Sequence, residues 1–382
     1  MSDRGRPMRL VVLGLSLSSS WGNGHATTYR ALLRSFARLG HDVLFLERDV
    51  PWYAPHRDLL DPSWCRLVLY DGLAGLAAYR DAIREADAVI VGSYVPDGVA
   101  VGRLVQDVAR GVTAFYDIDT PVTLAKLGRG DTEYLSPELI PGYDLYLSFT
   151  GGPTLDLLEE RYGAPSARAL YCSVDPGLYR PLTRPPRWDL SYLGTYSPDR
   201  QPGLERLLLE PARRCPDLRF VVAGPQYPVA IDWPGNVERI AHLPPAGHPD
   251  FYAASRFTLN LTRRDMAEAG WSPSVRLFEA AACATPIVSD RWDGLETFFE
   301  PGSDIVLADR TDEVVGLLRG LPEARRQALG LSGHRRVVAA HTSDHRACEL
   351  AGLLAGAMTS RRRQDRSAAP PKTIERTGYE NA

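Results

Sequence analysis

Short runs of apolar residues alternate with amphipathic segments along most of this chain. In the first half, seven runs have the length and continuity of buried strands: Arg9–Leu15, Asp42–Glu47, Arg66–Tyr70, Ala88–Gly92, Thr113–Tyr116, Leu145–Phe149 and Ala167–Tyr171. The clearest helix is His25–Leu39, in which Tyr29, Leu32 and Phe36 recur at helical spacing before Gly40 ends it. Continuous apolar strands separated by helices predict a parallel sheet covered on both faces.

The same alternation begins again after residues 173–187, S-V-D-P-G-L-Y-R-P-L-T-R-P-P-R, a proline-rich segment typical of a stiff interdomain linker. Beyond it, further strands are expected at Leu190–Gly194, Leu218–Gly224, Val237–Ile240, Phe257–Leu261 and Ile305–Leu307, and helices at Pro202–Cys215, Pro322–Ala340 and Ser343–Met358. We therefore predict an α/β protein with two doubly wound, Rossmann-like domains and helices at its C-terminal end.

These patterns divide the chain into a first domain at residues 1–172, the linker, a second domain at residues 188–340 and a C-terminal helix at residues 341–358. Residues 359–382 have no apolar periodicity, and we expect a disordered basic tail there. The run Arg361-Arg362-Arg363 in this tail permits at most a weak peripheral contact with anionic lipid.

The composition excludes several classes of protein. A hydrophobic content of 44% with 24% charged residues is that of a globular protein, and a net charge of −3 argues against a nucleic-acid binder. The five cysteines are scattered without metal-ligand spacing, which indicates buried thiols in a reducing compartment. The apolar run near the N-terminus is too short for a membrane span and lacks a cleavage site, so we expect a cytoplasmic protein.

The segment W-S-P-S-V-R-L-F-E-A-A-A-C-A-T-P-I-V-S-D, from Trp271 to Asp290, carries the clearest chemistry. Ser272 or Ser274 can cap a helix whose first N–H groups, including that of Val275, favour an anion. Arg276 adds a forked donor for phosphate oxygens, and Glu279, one turn later, can accept hydrogen bonds from two ribose hydroxyls. A core helix with an internal Arg–Glu pair is the alternative.

A loop follows the first predicted strand, in S-L-S-S-S-W-G-N-G-H-A-T-T-Y. Gly22, Asn23 and Gly24 permit a tight turn that brings the backbone close to a ligand, which we expect on the acceptor side. The loop departs from the G-x-G-x-x-G pattern of dinucleotide sites because its third glycine position is Thr27. His25 lies at the helix start, where it can act as a general base or merely cap the helix.

The motif F-Y-D-I-D-T-P places Asp117, Asp119 and Thr120 directly after another predicted strand. An Asp-x-Asp pair can hold a divalent cation, but this pair lies in the first domain, away from the phosphate-binding helix. We therefore predict no metal. Instead, Asp119 and Thr120 are expected to bind sugar hydroxyls, orient His25 or shape the cleft, and Asp117 is expected with Thr120 on the acceptor side. A purely structural turn ending at Pro121 is the alternative.

Residues that end strands of the second domain would complete a nucleotide pocket. Gly194 and Thr195 follow its first strand, Arg200 begins the next helix, Gly224 ends another strand and His242 follows a third. Each position is a weak signal alone, but all are expected at the carboxyl edge of one parallel sheet, where such folds bind ligands.

Several segments resemble two-domain glycosyltransferases of the GT-B type, in the group related to spore-maturation and cell-surface glycosylation proteins. The likeness is carried by Y-D-I-D-T-P, Y-L-G-T-Y-S-P-D-R-Q, F-V-V-A-G-P-Q-Y-P, S-V-R-L-F-E-A-A-A-C-A-T-P-I-V-S-D and W-D-G-L-E-T-F-F-E-P-G. It implies an acceptor-side first domain, a second domain that binds a nucleotide sugar, and chemistry without a metal or other cofactor. Glu279 matches the ribose-binding glutamate of this group, and Arg276 its diphosphate region.

Two positions depart from that pattern. Trp271 stands where many related enzymes carry a second glutamate, so no stereochemical outcome is predicted. Ala284 replaces a glycine that is frequent in related sequences. The resulting hypothesis is transfer of a sugar from a nucleoside diphosphate to an acceptor hydroxyl, with His25 as base assisted by Asp119. A nucleotide-sugar epimerase and a non-catalytic sugar-nucleotide-binding protein are the alternatives.

Overall fold

The computed structural model describes residues 6–22 and 24–368. Within them the first domain contains a parallel sheet of seven strands in the order β3-β2-β1-β4-β5-β6-β7. These strands are β1 Arg9–Gly14, β2 Asp42–Arg48, β3 Arg66–Tyr70, β4 Ala88–Gly92, β5 Val112–Asp117, β6 Leu145–Ser148 and β7 Ala167–Ala169. Each strand coincides with a predicted apolar run to within about two residues. The seven strands predicted for the first half of the chain are therefore confirmed.

The second domain contains a parallel sheet of six strands in the order β10-β9-β8-β11-β12-β13, again within the described residues. Its strands are β8 Trp188–Leu193, β9 Phe220–Ala223, β10 Val237–Ile240, β11 Ser255–Asn260, β12 Ile287–Ser289 and β13 Val306–Leu307. The proline-rich segment 173–187 runs between the two sheets. The predicted pair of doubly wound α/β domains is confirmed.

Helices cover the faces of both sheets. In the first domain they are α1 His25–Arg38, α2 Gly72–Gly75, α3 Arg80–Glu85, α4 Gly98–Val108, α5 Thr120–Gly128 and α6 Pro153–Glu160. Those that follow are α7 Gln201–Leu204, α8 Glu210–Arg214, α9 His248–Ala253, α10 Arg264–Ala269, α11 Val275–Ala282, α12 Thr311–Gly320, α13 Glu323–Ala340 and α14 Ser343–Ala368. Gly40 has φ +93° just past α1, as its predicted role as helix stop requires. Ala284 adopts φ +57° after α11, a position that usually favours glycine.

The chain returns to the first domain at its C-terminal end. The backbone N–H of Ser343 donates to Val174 O at 2.8 Å, which ties the linker to the start of α14. The Ser35 hydroxyl of α1 then donates to the Ser343 hydroxyl at 2.8 Å, so α14 packs along α1. The two domains are therefore joined by two adjacent crossings of the chain. No helix of the described residues is long and apolar enough to cross a membrane.

The predicted disordered tail begins too early. Helix α14 continues through Ala368. In this extension the Thr359 and Ser360 hydroxyls donate to carbonyls one turn back, and Arg361 pairs with Asp144 of the first domain at 2.7 Å. This ion pair also engages the first arginine of the run that was considered for lipid contact. Residues 369–382 lie outside the described part of the chain.

Candidate active site

The carboxyl ends of both sheets face a cleft between the domains. In each sheet the strand order reverses beside the first strand of its domain, between β1 and β4 and between β8 and β11. Ligands of doubly wound folds bind at such switch points. Two adjoining cavities of about 210 and 470 Å³ occupy this cleft, and both are lined by Gly22, Gly24, Thr195 and the segment Ser274–Arg276.

Helix α11 points its N-terminus into both cavities. Ser274 occupies the N-cap position, but its hydroxyl donates to Asn260 Oδ1 at 2.7 Å instead of capping the helix. The expected side-chain cap is therefore wrong. The first backbone N–H groups of α11, including that of Val275, remain available for an anion, and the helix dipole favours a negative charge there.

Arg276 extends from the first turn of α11 to the end of strand β8. Its Nε donates to Leu193 O, its Nη1 donates to Asn260 Oδ1 at 3.0 Å, and the guanidinium lies 4.9 Å from the centre of the Tyr192 ring. A side chain on Gly194 would come within 2.7 Å of Arg276 Nη2. The glycine after β8 thus makes room for the arginine, and together they form part of the cavity wall.

Gly224 ends strand β9 beside Gly194. It has φ +142°, and a Cβ on it would come within 2.0 Å of Gly194 O, so a side chain there would collide with backbone. The Tyr227 hydroxyl donates to the same Gly194 carbonyl at 3.2 Å. The two strand-ending glycines predicted for a nucleotide pocket therefore contact each other at its wall.

Three guanidinium groups line the larger cavity: those of Arg200, Arg263 and Arg276. Arg200 Nη2 donates to Thr195 O at 2.7 Å, while its buried Nε has no hydrogen-bond partner among the described residues. Burial lowers the pKa of Arg200, and the charges of Arg276 and Arg263 add to that effect. Mutual repulsion of cations in one cavity is offset when a polyanion binds.

Glu279 lies one turn into α11, buried at 5% exposure, at the wall of the smaller cavity. The Tyr252 hydroxyl donates to its Oε2 at 3.4 Å, and His248 Nδ1 lies 3.6 Å from the same oxygen. Burial alone would raise the pKa of Glu279, but hydrogen bonding and charge from His248 outweigh burial and the net pKa is lowered. The ionised carboxylate is an acceptor for hydroxyl groups of a ligand.

His25 and Asp119 meet across the floor of the larger cavity. His25 is the first residue of α1 and Asp119 follows β5; His25 Nε2 lies 3.9 Å from Asp119 Oδ2. The buried Nδ1 of His25 has no hydrogen-bond partner within the described ranges. Burial raises the pKa of Asp119, but His25, Arg263 and Tyr94 outweigh it, so the carboxyl stays ionised beside the imidazole.

Asp117 and Thr120 do not reach the cleft. Both side chains are fully buried. Asp117 accepts hydrogen bonds from the Tyr146 hydroxyl at 2.6 Å and the Thr123 hydroxyl at 2.8 Å, and the Thr120 hydroxyl bonds to Ser148 at 2.7 Å. The expectation that Asp117 and Thr120 line the acceptor side of the cleft is therefore wrong. Asp117 is the last residue of β5 and faces the interior, whereas Asp119 lies beyond the strand, at the start of α5, and lines the larger cavity.

Asp117→Asn should change how stability depends on pH. Burial raises the pKa of Asp117 from 3.8 to about 6 in the folded protein. Protonated Asp117 thus contributes fully to the free energy of unfolding below pH ~3.8, and this contribution is lost as pH rises through about 6. The free energy of unfolding falls by roughly 3 kcal/mol over this range. The asparagine variant lacks this loss. Its free energy of unfolding, measured with urea, should therefore rise relative to that of the wild type between pH 4 and 7. Parallel profiles would contradict an ionisable, buried Asp117.

Trp271, which stands in place of an expected glutamate, joins the two domains. Its indole lies between Gly152 of the first domain and Gly294 of the second, and a Cβ on either glycine would come within 2.5 Å of it. Its carbonyl accepts from Gly151 N at 3.0 Å, and its N–H donates to Asp293 O at 2.6 Å. The side chain thus fills the domain contact, not the ligand cavities.

Trp271→Glu should therefore destabilise the protein without adding activity. The substitution removes a packed indole and introduces a carboxylate between two backbone segments, at a cost of about 3 kcal/mol. Trp52→Glu is the matched control, because Trp52 is 56% exposed and its replacement should cost under about 0.5 kcal/mol. Greater transferase activity in Trp271→Glu would show that a carboxylate at this position can serve the reaction.

The remaining predicted site residues also border the cleft. Gly22 and Gly24 flank Asn23, which lies outside the described residues, and His242 is an exposed residue at the rim of the smaller cavity. Arg263 and His248 are additions that the sequence reasoning missed. Arg263 follows an apolar run that forms a strand, so its position at the carboxyl end of the sheet was predictable from the sequence. His248 begins a helix and follows no apolar run, so the sequence does not indicate its position in the site.

Part of the chain matches a known protein family. Residues 200–352, most of the second domain, match a family model described as Glycosyl transferase-like. Over these residues the chain is similar to that family. None of the curated proteins compared matches the chain.

Solved structures of the same fold cover nearly the whole chain. Sucrose-phosphate synthase from Thermosynechococcus elongatus has 15% identity and a TM-score of 0.68, covering 95% of this chain and 100% of that one. HepE from Anabaena, in complex with UDP and glucose, has 13% identity and a TM-score of 0.69, covering 91% and 100%. A trehalose-6-phosphate protein of E. coli bound with UDP-2-fluoro glucose has 11% identity and a TM-score of 0.63, covering 91% and 98%. The predicted GT-B architecture is confirmed; the likeness to spore-maturation proteins stays a prediction.

Proposed function

We propose that this protein is a glycosyltransferase that moves a sugar from a nucleoside diphosphate to an acceptor hydroxyl. The observation that carries the proposal is the convergence of Arg200, Arg263 and Arg276 on the N-terminus of α11 in one cavity. A diphosphate supplies the negative charge and the acceptor oxygens that such a cluster needs. The glycosyl transferase-like second domain and the UDP-bound structures of the same fold support this choice.

The proposed donor has a defined orientation in the cleft. The diphosphate would lie against the guanidiniums of Arg276 and Arg200 and the first amides of α11. Glu279, held by His248 and Tyr252, would accept the ribose hydroxyls from the smaller cavity. His242 at the rim of that cavity would flank the base. The sugar would then extend toward the larger cavity, where His25 and Asp119 lie.

The residues present can carry the reaction. As the glycosidic bond to phosphate breaks, the arginines and the helix dipole would stabilise the charge on the leaving diphosphate. His25 would accept the proton of the acceptor hydroxyl, and ionised Asp119 would stabilise the resulting imidazolium. We propose that the arginines make a metal unnecessary, and that the reaction takes place in the cytoplasm, in keeping with five unpaired cysteines.

Product analysis tests this function. The protein is incubated with UDP-glucose and, in parallel, with other nucleotide sugars, with and without a panel of hydroxyl acceptors. The products are separated by chromatography and identified by mass spectrometry and by NMR, which distinguishes isomeric sugars of equal mass. Transfer or slow hydrolysis that continues in EDTA is expected. An isomerised donor sugar would indicate an epimerase, binding without turnover a non-catalytic protein, and activity lost in EDTA but restored by Mn²⁺ a metal-dependent transferase.

A further inference from the structure

We propose that Arg263 couples donor binding to the base: Arg263 shares Asp119 with His25 before the donor binds, then moves to the donor diphosphate and leaves Asp119 to His25. The inference rests on the proposed function and deepens it. It makes Arg263 of the second domain a positioning residue for the His25–Asp119 pair of the first domain. Its consequence is that the base becomes effective after the donor has bound.

Asp119 has two cationic or potentially cationic neighbours at nearly equal distance. Its Oδ2 lies 3.9 Å from His25 Nε2 and 4.0 Å from Arg263 Nη1. Both distances exceed that of a hydrogen bond, so neither partner holds the carboxylate and either can approach it. Because His25 belongs to the first domain and Arg263 to the second, this carboxylate is a point where the charge of one domain acts on the other.

Arg263 is the least constrained of the three arginines. Arg276 and Arg200 are anchored by hydrogen bonds to the carbonyls of Leu193 and Thr195. The Arg263 side chain, by contrast, is 38% exposed and forms no hydrogen bond with any of the residues that the structure describes. It follows β11 and lines the same cavity as the other two. A long side chain in this position can turn from the carboxylate to a phosphate without breaking a backbone contact.

The charged and titratable groups around His25 and Asp119 come from six parts of the fold. They are Tyr94 after β4, Asp117 at the end of β5, Tyr134 after α5, Arg263 after β11, Arg200 before α7 and Arg276 in α11. Tyr94 lies edge-on to the His25 ring with centroids 5.3 Å apart and has φ +62°. Such a strained non-glycine residue is characteristic of functional sites. Arg263 is the loosely held cation beside Asp119. If its guanidinium moves away from Asp119, the positive charge near the His25 ring decreases.

The direction of the effect follows from electrostatics. A diphosphate accepts a bidentate guanidinium bond and carries more charge than a carboxylate that is already shared. When Arg263 turns to it, His25 loses a neighbouring cation and keeps Asp119 as its anion. The protonated imidazole is then stabilised, so the ring becomes a stronger base for the acceptor hydroxyl.

The test follows the His25 ring directly. Protein with ¹³C-labelled histidine rings is titrated by NMR with and without saturating UDP, and with ADP, GDP or TDP if UDP does not bind; His25→Gln assigns the resonance. In the wild type, nucleoside diphosphate should raise the pH at which the His25 signal is half-shifted by about one unit. In Arg263→Ala this pH should be raised already without nucleotide, and nucleotide should move it less than half as far.

Matched variants separate the possible failures. Arg264→Ala removes the exposed neighbouring arginine and should behave as wild type, while Arg263→Lys retains a mobile cation and should restore part of the nucleotide effect. Equal nucleotide-induced shifts in wild type and Arg263→Ala, with binding intact by thermal shift, would overturn the coupling and leave the glycosyltransferase proposal standing. Absence of binding of any nucleoside diphosphate to the wild type would overturn both.

Discussion

Arg276→Ala is expected to lower kcat/KM for the donor by about 10²- to 10³-fold, because a charge-stabilising group aimed at a leaving group typically contributes that much. Arg276 reaches the cavity from the first turn of α11 and is held there by Leu193 O and Asn260 Oδ1. Its loss removes a forked donor and leaves the Asn260 oxygen with only Ser274 as a partner among these contacts. Steady-state kinetics with the active nucleotide sugar measures the effect.

Arg319→Ala is the control for that experiment. Arg319 is a half-exposed arginine on α12 paired with Asp217 at 2.6 Å, so its removal should leave kinetics unchanged and stability within about 1 kcal/mol. Arg276→Lys should be intermediate, since an ammonium retains the charge but not the planar fork. Unchanged kinetics in a folded Arg276→Ala would remove this residue from the donor site.

Gly224→Ala is the second substitution with a large expected effect, and it acts through the backbone. Its φ of +142° is costly for any side chain, by about 1–3 kcal/mol. The added Cβ would also press within 2.0 Å of Gly194 O, so the loop that makes room for Arg276 must shift. We expect donor KM to rise more than about tenfold, since small displacements of binding groups cost this much.

Gly235→Ala is the matched glycine control for Gly224→Ala. Gly235 lies just before β10, with no atom within 4 Å of its added Cβ and with ordinary φ. Kinetics and melting temperature of this variant should equal those of the wild type. If Gly224→Ala binds donor normally, the contact between the two strand-ending glycines does not shape the donor pocket.

Much of the fold follows from the apolar pattern, because strands buried on both faces must be apolar throughout. Ala88–Gly92, which is buried throughout, was predicted to the residue on this basis. The edge strands Arg66–Tyr70 and Val237–Ile240 are only partly buried, but their bounds also agree with the prediction. The candidate donor residues were found for a related reason. Gly194 and Gly224 directly follow or end apolar runs, and parallel strands deliver such positions to one edge of the sheet.

The features that could not be predicted from the sequence depend on contacts between distant segments of the chain. Asp117 and Asp119 are indistinguishable by spacing, and only Tyr146 on the neighbouring strand shows which one faces inward. The pattern identified Trp271 as unusual, but its role depends on Gly152 and Gly294, which no local signal connects. Helix α14 extends beyond its apolar periodicity, and there Arg361 pairs with Asp144, more than 200 residues earlier in the chain.

Donor binding in the cleft is tested most directly by thermal unfolding of the wild type with UDP, ADP, GDP and TDP, each beside its nucleoside and monophosphate. A ligand at a hundredfold excess over its Kd stabilises the native state by about 2.7 kcal/mol. At least one nucleoside diphosphate should raise the Tm well beyond its monophosphate, and the rise should be lost in Arg276→Ala and kept in Arg319→Ala. If no nucleoside diphosphate or nucleotide sugar raises the Tm, the cleft is not a donor site.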